Sequence, residues 1–238
     1  RPGDDSLAFI SYRSGLPQIW WTNEGGLGGL NQVSQFETYR DIDSFVWSKN
    51  GNLIYFTGGG SLQLLTLDGQ LSHIGTDFRV QRVFQYLESN HLLLSAVVNN
   101  VTRLVTLSLA DGSYEPLMVG KTDWSQSAAS GEVFILDQDS QVNRVIDGTP
   151  QPLPVLAHVH VNDKFILAEN KLYFFSEGND LNIFDIETEA LRKYKVAVND
   201  SSHFVVDAVD LKKNRIGISF VKAFRKELVQ IELDLGKG

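Results

Sequence analysis

Short, almost wholly apolar runs recur along the chain: Leu7-Ala8-Phe9-Ile10, Leu53-Ile54-Tyr55-Phe56, Leu92-Leu93-Leu94, Val133-Phe134-Ile135-Leu136, Leu172-Tyr173-Phe174-Phe175 and Ile216-Gly217-Ile218. Their starts lie 39–46 residues apart, the length of one four-stranded blade in a repeat protein. Their brevity, and the aromatic or β-branched residues in several of them, predict strands rather than helices. Turn residues precede five of the runs: Ser48-Lys49-Asn50-Gly51, Glu88-Ser89-Asn90, Ser130-Gly131, Glu169-Asn170 and Lys213-Asn214. After each run comes a strand of alternating polarity, clearest in Arg103-Leu104-Val105-Thr106-Leu107-Ser108-Leu109. A hairpin signal follows at Gly25-Gly26, Asp68-Gly69, Asp111-Gly112, Asp147-Gly148 and, more weakly, Glu187-Thr188. Asp-Gly suits the left-handed dihedrals of a tight hairpin, where most side chains clash. One repeat therefore reads as strand, turn, apolar strand, loop, alternating strand, Asp-Gly turn, edge strand.

A strand that is apolar on both faces must be covered on both. With no helical segment to do this, neighbouring sheets supply the cover, as they do when blades stack around a ring. The predicted fold is all-β: a six-bladed β-propeller of four-stranded antiparallel blades, forming one domain over residues 1–238. The repeats fall near 1–40, 41–78, 79–120, 121–157, 158–200 and 201–238. Two β-sandwiches in series are the alternative, which a single repeat phase from end to end disfavours. The first repeat opens at its second strand and the last stops after its third, Glu227-Leu228-Val229-Gln230-Ile231-Glu232-Leu233. The first and last blades are thus expected to be incomplete in this chain. Either residues upstream of Arg1 complete the ring or one blade is short; a first residue other than Met points to a longer parent chain.

Composition narrows the function classes. With 42% hydrophobic and 21% charged residues, the chain can bury a large core and does not read as disordered. Its 29 acidic residues against 21 Lys and Arg give a net charge of −8, the wrong sign for a domain that replaces counterions along a nucleic acid backbone. No direct nucleic-acid contact is expected. The absence of cysteine excludes disulfides, thiolate metal sites and cysteine nucleophiles, and is compatible with an oxidising compartment such as the periplasm. No apolar run approaches the roughly 20 residues of a membrane span, and no signal peptide is visible. Membrane insertion by this segment is not expected.

Residues 6–56 carry a family resemblance. Leu7-Ala8-Phe9-Ile10-Ser11-Tyr12-Arg13-Ser14-Gly15-Leu16-Pro17-Gln18-Ile19-Trp20 resembles the TolB-like, WD-repeat-like propeller repeat, whose pattern runs aF-S-x-R-x-G-x-x-x-I-Y/W. Trp47-Ser48-Lys49-Asn50-Gly51-Asn52 looks like its W-S-P-D-G-K turn, with Lys49 and Asn50 replacing the proline and aspartate. Arg1-Pro2-Gly3-Asp4-Asp5 looks like a further degenerate copy, and from about residue 80 only the periodicity survives. The family includes TolB itself, a periplasmic partner in the Tol–Pal system, and propellers of prolyl-oligopeptidase-type peptidases. It also includes oligogalacturonate lyases and periplasmic domains of CadC/ToxR-type winged-helix regulators. The late repeats look most like the last group. That resemblance implies a non-catalytic sensory or protein-interaction module of the bacterial envelope, the periplasmic part of a membrane-bound transcriptional regulator. A TolB-type scaffold, or a propeller belonging to a peptidase or polysaccharide lyase, is the alternative.

The residues themselves show no catalytic constellation. A Gly-x-Ser-x-Gly elbow is absent, so no serine hydrolase centre is expected within the chain, and neither a cofactor nor a metal is expected. His158 and His160 alternate and could share one face of a strand as metal ligands do, although a local hydrogen-bonded pair is the plainer reading. Asp137-Gln138-Asp139-Ser140 lacks the glycine and distal glutamate of a calcium loop and reads as a hairpin. Trp20 and Trp21, on opposite faces of one strand, read as blade-to-blade packing.

The candidate binding surface comes from aligning the repeats on their apolar runs. Asp43, Arg82, Asp123, Trp124, Asp163 and Asp207 then fall at the entrance to the first strand of each blade, which lines the central channel of a propeller. Arg40, His160 and His203 lie within a few residues of that set. Such a mostly acidic mouth suits a protein segment or a cationic or hydroxyl-rich ligand. The competing reading is that these side chains cap backbone groups where loop becomes strand.

Overall fold

The computed structural model describes residues 1, 6–23, 28–176, 179–196, 203–211, 215–222 and 225–232, with backbone alone at 210, 220–222 and 225–232. The Gly25-Gly26 and Lys213-Asn214 turns and the Pro2–Asp5 segment lie outside them. Two compact units partition the chain, residues 1–121 and 122–238.

In the first unit, one antiparallel sheet comprises β1 (Leu7–Ser11), β2 (Gln18–Thr22) and β3 (Leu30–Gln32). The next comprises β4 (Ser44–Trp47), β5 (Leu53–Gly58), β6 (Ser61–Thr66) and β7 (Leu71–Ile74). The third comprises β8 (Arg79–Leu87), β9 (His91–Val98), β10 (Val101–Ser108) and β11 (Tyr114–Val119). In the second unit the sheets are β12 (Trp124–Ser127), β13 (Val133–Leu136), β14 (Val142–Ile146) and β15 (Thr149–Pro152), followed by β16 (Ile166–Ala168), β17 (Lys171–Ser176), β18 (Asp180–Asp185) and β19 (Leu191–Lys195). The last is β20 (His203–Asp210), β21 (Arg215–Lys222) and β22 (Arg225–Glu232). Every sheet is a meander of sequential strands, and the fold is the all-β propeller with antiparallel four-stranded blades. The described parts of the first and last blades hold three strands each. Helical structure among the described residues amounts to a 3₁₀ turn at Pro154–Leu156.

Five of the six apolar runs form inner strands, and burial on both faces explains their composition; the sixth, Leu7–Ile10, forms half-buried β1 at the edge of its described sheet. Ile54 and Phe56 of β5 pack with Ile19 and Val33 of the preceding repeat, while Tyr55 between them packs with Val83, Leu92 and Leu94 of the next blade. The same division recurs at β17: Phe174 joins the cluster of Phe134, Leu136 and Phe165, whereas Tyr173 and Phe175 face Phe204, Val206 and Ile218. Each such side chain contributes about 1.5–3 kcal/mol of burial. A polar residue in either register would leave one seam unfilled.

Turn chemistry closes the hairpins as the sequence pattern predicts. Asp147 and Gly148 have φ of 49° and 75°, a two-residue turn joining β14 to β15 that needs left-handed dihedrals at both positions. At the Trp47–Asn52 turn, the Ser48 hydroxyl donates to Asn50 Oδ1 at 2.8 Å and accepts from Leu53 N at 3.1 Å. Asn50 Oδ1 also accepts from Asn52 N at 3.2 Å, which closes the turn that the sequence pattern predicts. Asp137 accepts from the backbone of Asp139 and Gln141 and from Asn143 Nδ2, which makes that segment a self-capped hairpin. Trp21 packs into the seam between the first two blades, and the Arg13 guanidinium lies 5.0 Å from the Trp20 ring on the opposite face.

Candidate binding surface on the first strands

A first strand is a sheet edge, so alternate backbone N–H and C=O groups face away from its own ladder. Side chains of the preceding blade capture several of them. Ser44 Oγ accepts from Val83 N at 2.8 Å and pairs with Thr57 Oγ1, also at 2.8 Å. In the second unit, Gln126 Oε1 accepts from Leu167 N, and Asn162 Nδ2 donates to Phe204 O at 3.2 Å and Ser176 O at 3.3 Å. Within each unit these polar staples hold successive first strands side by side.

The connectors leading into the first strands are pinned in the same way. Asp43 N donates to Thr57 O and Asp123 N to Leu136 O, both at 2.9 Å, and Asn162 N donates to Phe175 O at 2.8 Å. Asp43 and Asp123 stand in equivalent places, one residue ahead of β4 and β12. The other first strands are irregular. The ladder register skips Gln81 and Phe84 of β8 and Asp207 of β20, each a bulge in its strand. Between the Val161↔Ser176 bridge and the Ile166↔Tyr173 pair, four residues oppose two. Such bulges bend a strand and re-aim its side chains, a device frequent beside binding sites.

In the second unit the bulges bring charged groups together. Asp163 adopts a left-handed φ of 57°, a conformation aspartate tolerates, and the turn there sets Lys164 N 2.6 Å from Asn162 O. Lys164 Nζ then meets Asp207 Oδ1 at 2.6 Å and lies 5.3 Å from the centre of the Trp124 ring. Lys164 and Asp207 retain only 22% and 23% of their side-chain exposure, so water screens this pair less than a surface one. Beside it, His203 Nε2 lies 3.5 Å from Asp163 Oδ2 in an open setting. One cation therefore ties together the first strands of three successive blades.

Of the residues predicted from sequence, Trp124, Asp163, His203 and Asp207 converge around this lysine. Lys164 itself was not predicted; its signal was a lone cation between aligned aspartates, next in sequence to Asp163. His160 Nδ1 lies 3.1 Å from Asp139 O, and both His158 and His160 sit exposed in the connector ahead of β16 rather than on a strand. Asp123 is half-buried. In the first unit, Asp43 and Arg82 are exposed, whereas Arg40 lies across the Phe36 ring at 4.8 Å and donates to Gln63 of β6. No cluster of three or more metal-ligating side chains occurs among the described residues. No helix among them is long and apolar enough to cross a membrane.

No family model matches the sequence, and a search of curated proteins finds no match. Solved structures do match the fold. TolB from Acinetobacter baumannii is 16% identical with a TM-score of 0.59, over 97% of this chain and 65% of that one. The extracellular domain of BT4673 from B. thetaiotaomicron, a protein assigned to the hybrid two-component systems, is 14% identical with a TM-score of 0.57, over 97% of this chain and 34% of that one. Oligogalacturonate lyase from Vibrio parahaemolyticus is 11% identical with a TM-score of 0.57, over 94% of this chain and 74% of that one. At these identities the likeness establishes the β-propeller fold that they share.

Proposed function

We propose that this chain is a non-catalytic sensory or protein-interaction propeller of the bacterial cell envelope, the periplasmic part of a membrane-bound transcriptional regulator. The observation that carries the reading is the Lys164–Asp207 pair on Trp124, with Asp163 and His203 beside it. These groups are held by edge staples and bulges, so they meet a partner already oriented. The open Asp163–His203 pair offers hydrogen bonds at the rim, and the half-covered Lys164 and indole supply an anchor. Likeness to the extracellular domain of BT4673 supports a sensing role outside the cytoplasm, and likeness to TolB supports a scaffold as the second reading. The lyase neighbour keeps an enzyme-associated propeller as a third, which predicts stoichiometric metal in the purified protein.

A photo-crosslinking amino acid placed in turn at Asp163 and His203 in living cells tests the proposal. The expected result is one discrete adduct with an envelope protein, lost on Lys164→Glu and absent when the probe stands at Asp147. Adducts at Asp147 alone, or none at either site in folded protein, would overturn the assignment.

A further inference from the structure

Four Asx-Gly steps occur in the sequence: Asn50-Gly51, Asp68-Gly69, Asp111-Gly112 and Asp147-Gly148. Glycine has no Cβ to keep its amide nitrogen away from the carbonyl carbon of the preceding side chain, so such steps are prone to react with themselves. Three of them are tied down. Gly51 N donates to Ser48 O at 2.9 Å, Gly69 N to Thr66 O at 3.0 Å and Gly112 N to Ser108 O at 3.0 Å. Their side chains are engaged as well. Asn50 Oδ1 accepts from Ser48 Oγ at 2.8 Å and Asn52 N at 3.2 Å, and Asp68 accepts from the Thr66 hydroxyl and, at 3.2 Å, from Gln70 Nε2. Asp111 Oδ1 accepts from Ser113 N at 3.0 Å and Ser113 Oγ at 2.8 Å. The fourth step differs at both reacting groups. In the two-residue turn from β14 to β15, neither the Asp147 carboxylate nor Gly148 N has a hydrogen-bond partner among the described residues, and both residues are exposed.

We propose that Asp147-Gly148 is a modification site at which isoaspartate forms spontaneously. Gly148 N bonds to Asp147 Cγ and closes a five-membered succinimide, while the amide proton and the carboxyl hydroxyl leave as water. Water then adds at the backbone carbonyl carbon of Asp147, whose bond to Gly148 N breaks. The chain now runs through the side-chain carbonyl; nothing is oxidised or reduced, and the mass is unchanged. A hydrogen bond on a glycine amide opposes the first step, because it favours the protonated nitrogen over the nucleophilic one. At Asp111 the hydrogen bonds also hold the carboxyl at a pKa of about 2, so the protonated form that loses water is scarce. The product lengthens the backbone by one carbon in a turn where Asp147 and Gly148 hold φ of 49° and 75°. β15 is poorly placed to resist. All four of its residues are exposed, and Pro150 and Pro152 have no N–H, which leaves Thr149 and Gln151 as its donors to the ladder. Isomerisation is therefore expected to loosen this edge strand and leave β12, β13 and β14 paired.

The test is incubation of the full chain near neutral pH at body temperature, folded and in urea, with isoaspartate located in proteolytic peptides by electron-transfer fragmentation. In the folded protein, isoaspartate at Asp147 is expected to exceed that at Asp68 or Asp111 by at least about fivefold, the factor that one hydrogen bond broken on the way to a transition state gives. In urea the three Asp-Gly steps are expected to convert at like rates, because no turn distinguishes them. Labelling of the aged, folded chain by an isoaspartyl methyltransferase should largely disappear in Asp147→Glu, whose longer side chain does not close the five-membered ring. Hydrogen exchange after isomerisation should be faster at the amides of Thr149 and Gln151 and unchanged in β13; unchanged exchange at Thr149 would contradict the loosening of β15. Equal conversion of the three aspartates in the folded protein, a lead by Asp68 or Asp111, or an Asp147 that reacts only in urea would each overturn the proposal.

Discussion

At the scale of single residues, a few polar groups both hold neighbouring strands together and shape the candidate surface. Asn162 is buried and bridges β17 to β20, so Asn162→Ala leaves two carbonyls short of a donor. A loss of about 1–3 kcal/mol is expected, read as a lower urea midpoint with unchanged slope. Lys164→Met keeps the stem on Trp124 but strands Asp207, and should cost about 1–2 kcal/mol, part of it recovered in the double variant with Asp207→Asn. A double-mutant cycle with no coupling would show that the pair does not act as one. Asp111 gives a pH signature: hydrogen bonds from the Ser108 and Ser113 hydroxyls and the Ser113 amide hold its pKa at about 2, against 3.8 for the free side chain. A lowered carboxylate pKa contributes stability that is complete above the unfolded value and is lost as pH falls through the folded one. The difference in melting temperature between the unaltered protein and Asp111→Ala should therefore be constant above about pH 5 and shrink between about pH 4 and 2.

At the scale of strands and turns, the sequence is most informative where one residue type satisfies a local demand. The apolar runs become β5, β9, β13, β17 and β21 because covering both faces allows no polar position, and Asp-Gly becomes a turn because few other pairs accept its dihedrals. Gly148→Ala, at φ 75°, is expected to destabilise by about 1 kcal/mol, and Phe174→Ala in the fifth blade by about 3–5 kcal/mol. If the first cost more than the second, the division between turn and core would be misplaced. First strands were far less legible. β8 spans nine residues and β16 three, and in the bulged strands Val83 of β8 bonds to Ser44 and Asp207 of β20 pairs with Lys164, partners some forty residues away. Spacing alone could therefore align Asp43 with Asp123 yet not see that Lys164 would turn inward to meet Asp207. Arg40 failed to join that level for a similar reason: the Phe36 ring and Gln63 offered it a partner that no pattern along the chain reveals.

At the scale of the whole chain, repetition is the organising fact. Six meanders of sequential strands, with β5 and β17 each shared between two seams inside their units, leave chemistry to the connectors and first strands, where the repeats have diverged. The acidic balance agrees with a partner other than nucleic acid: fluorescence anisotropy with a DNA duplex at about 150 mM salt is expected to show no binding. Within each unit, blades stack face to face with first strands stapled by the preceding blade. Residue-resolved hydrogen exchange tests this stacking most directly at the amides of Val83 and Leu167, whose acceptors are the Ser44 and Gln126 side chains. Both amides should exchange as slowly as those in the β9 and β17 ladders, with Ser44→Ala releasing only Val83 and Gln126→Ala only Leu167. Exchange at loop rates in the unaltered protein would contradict the stacking and the site built upon it.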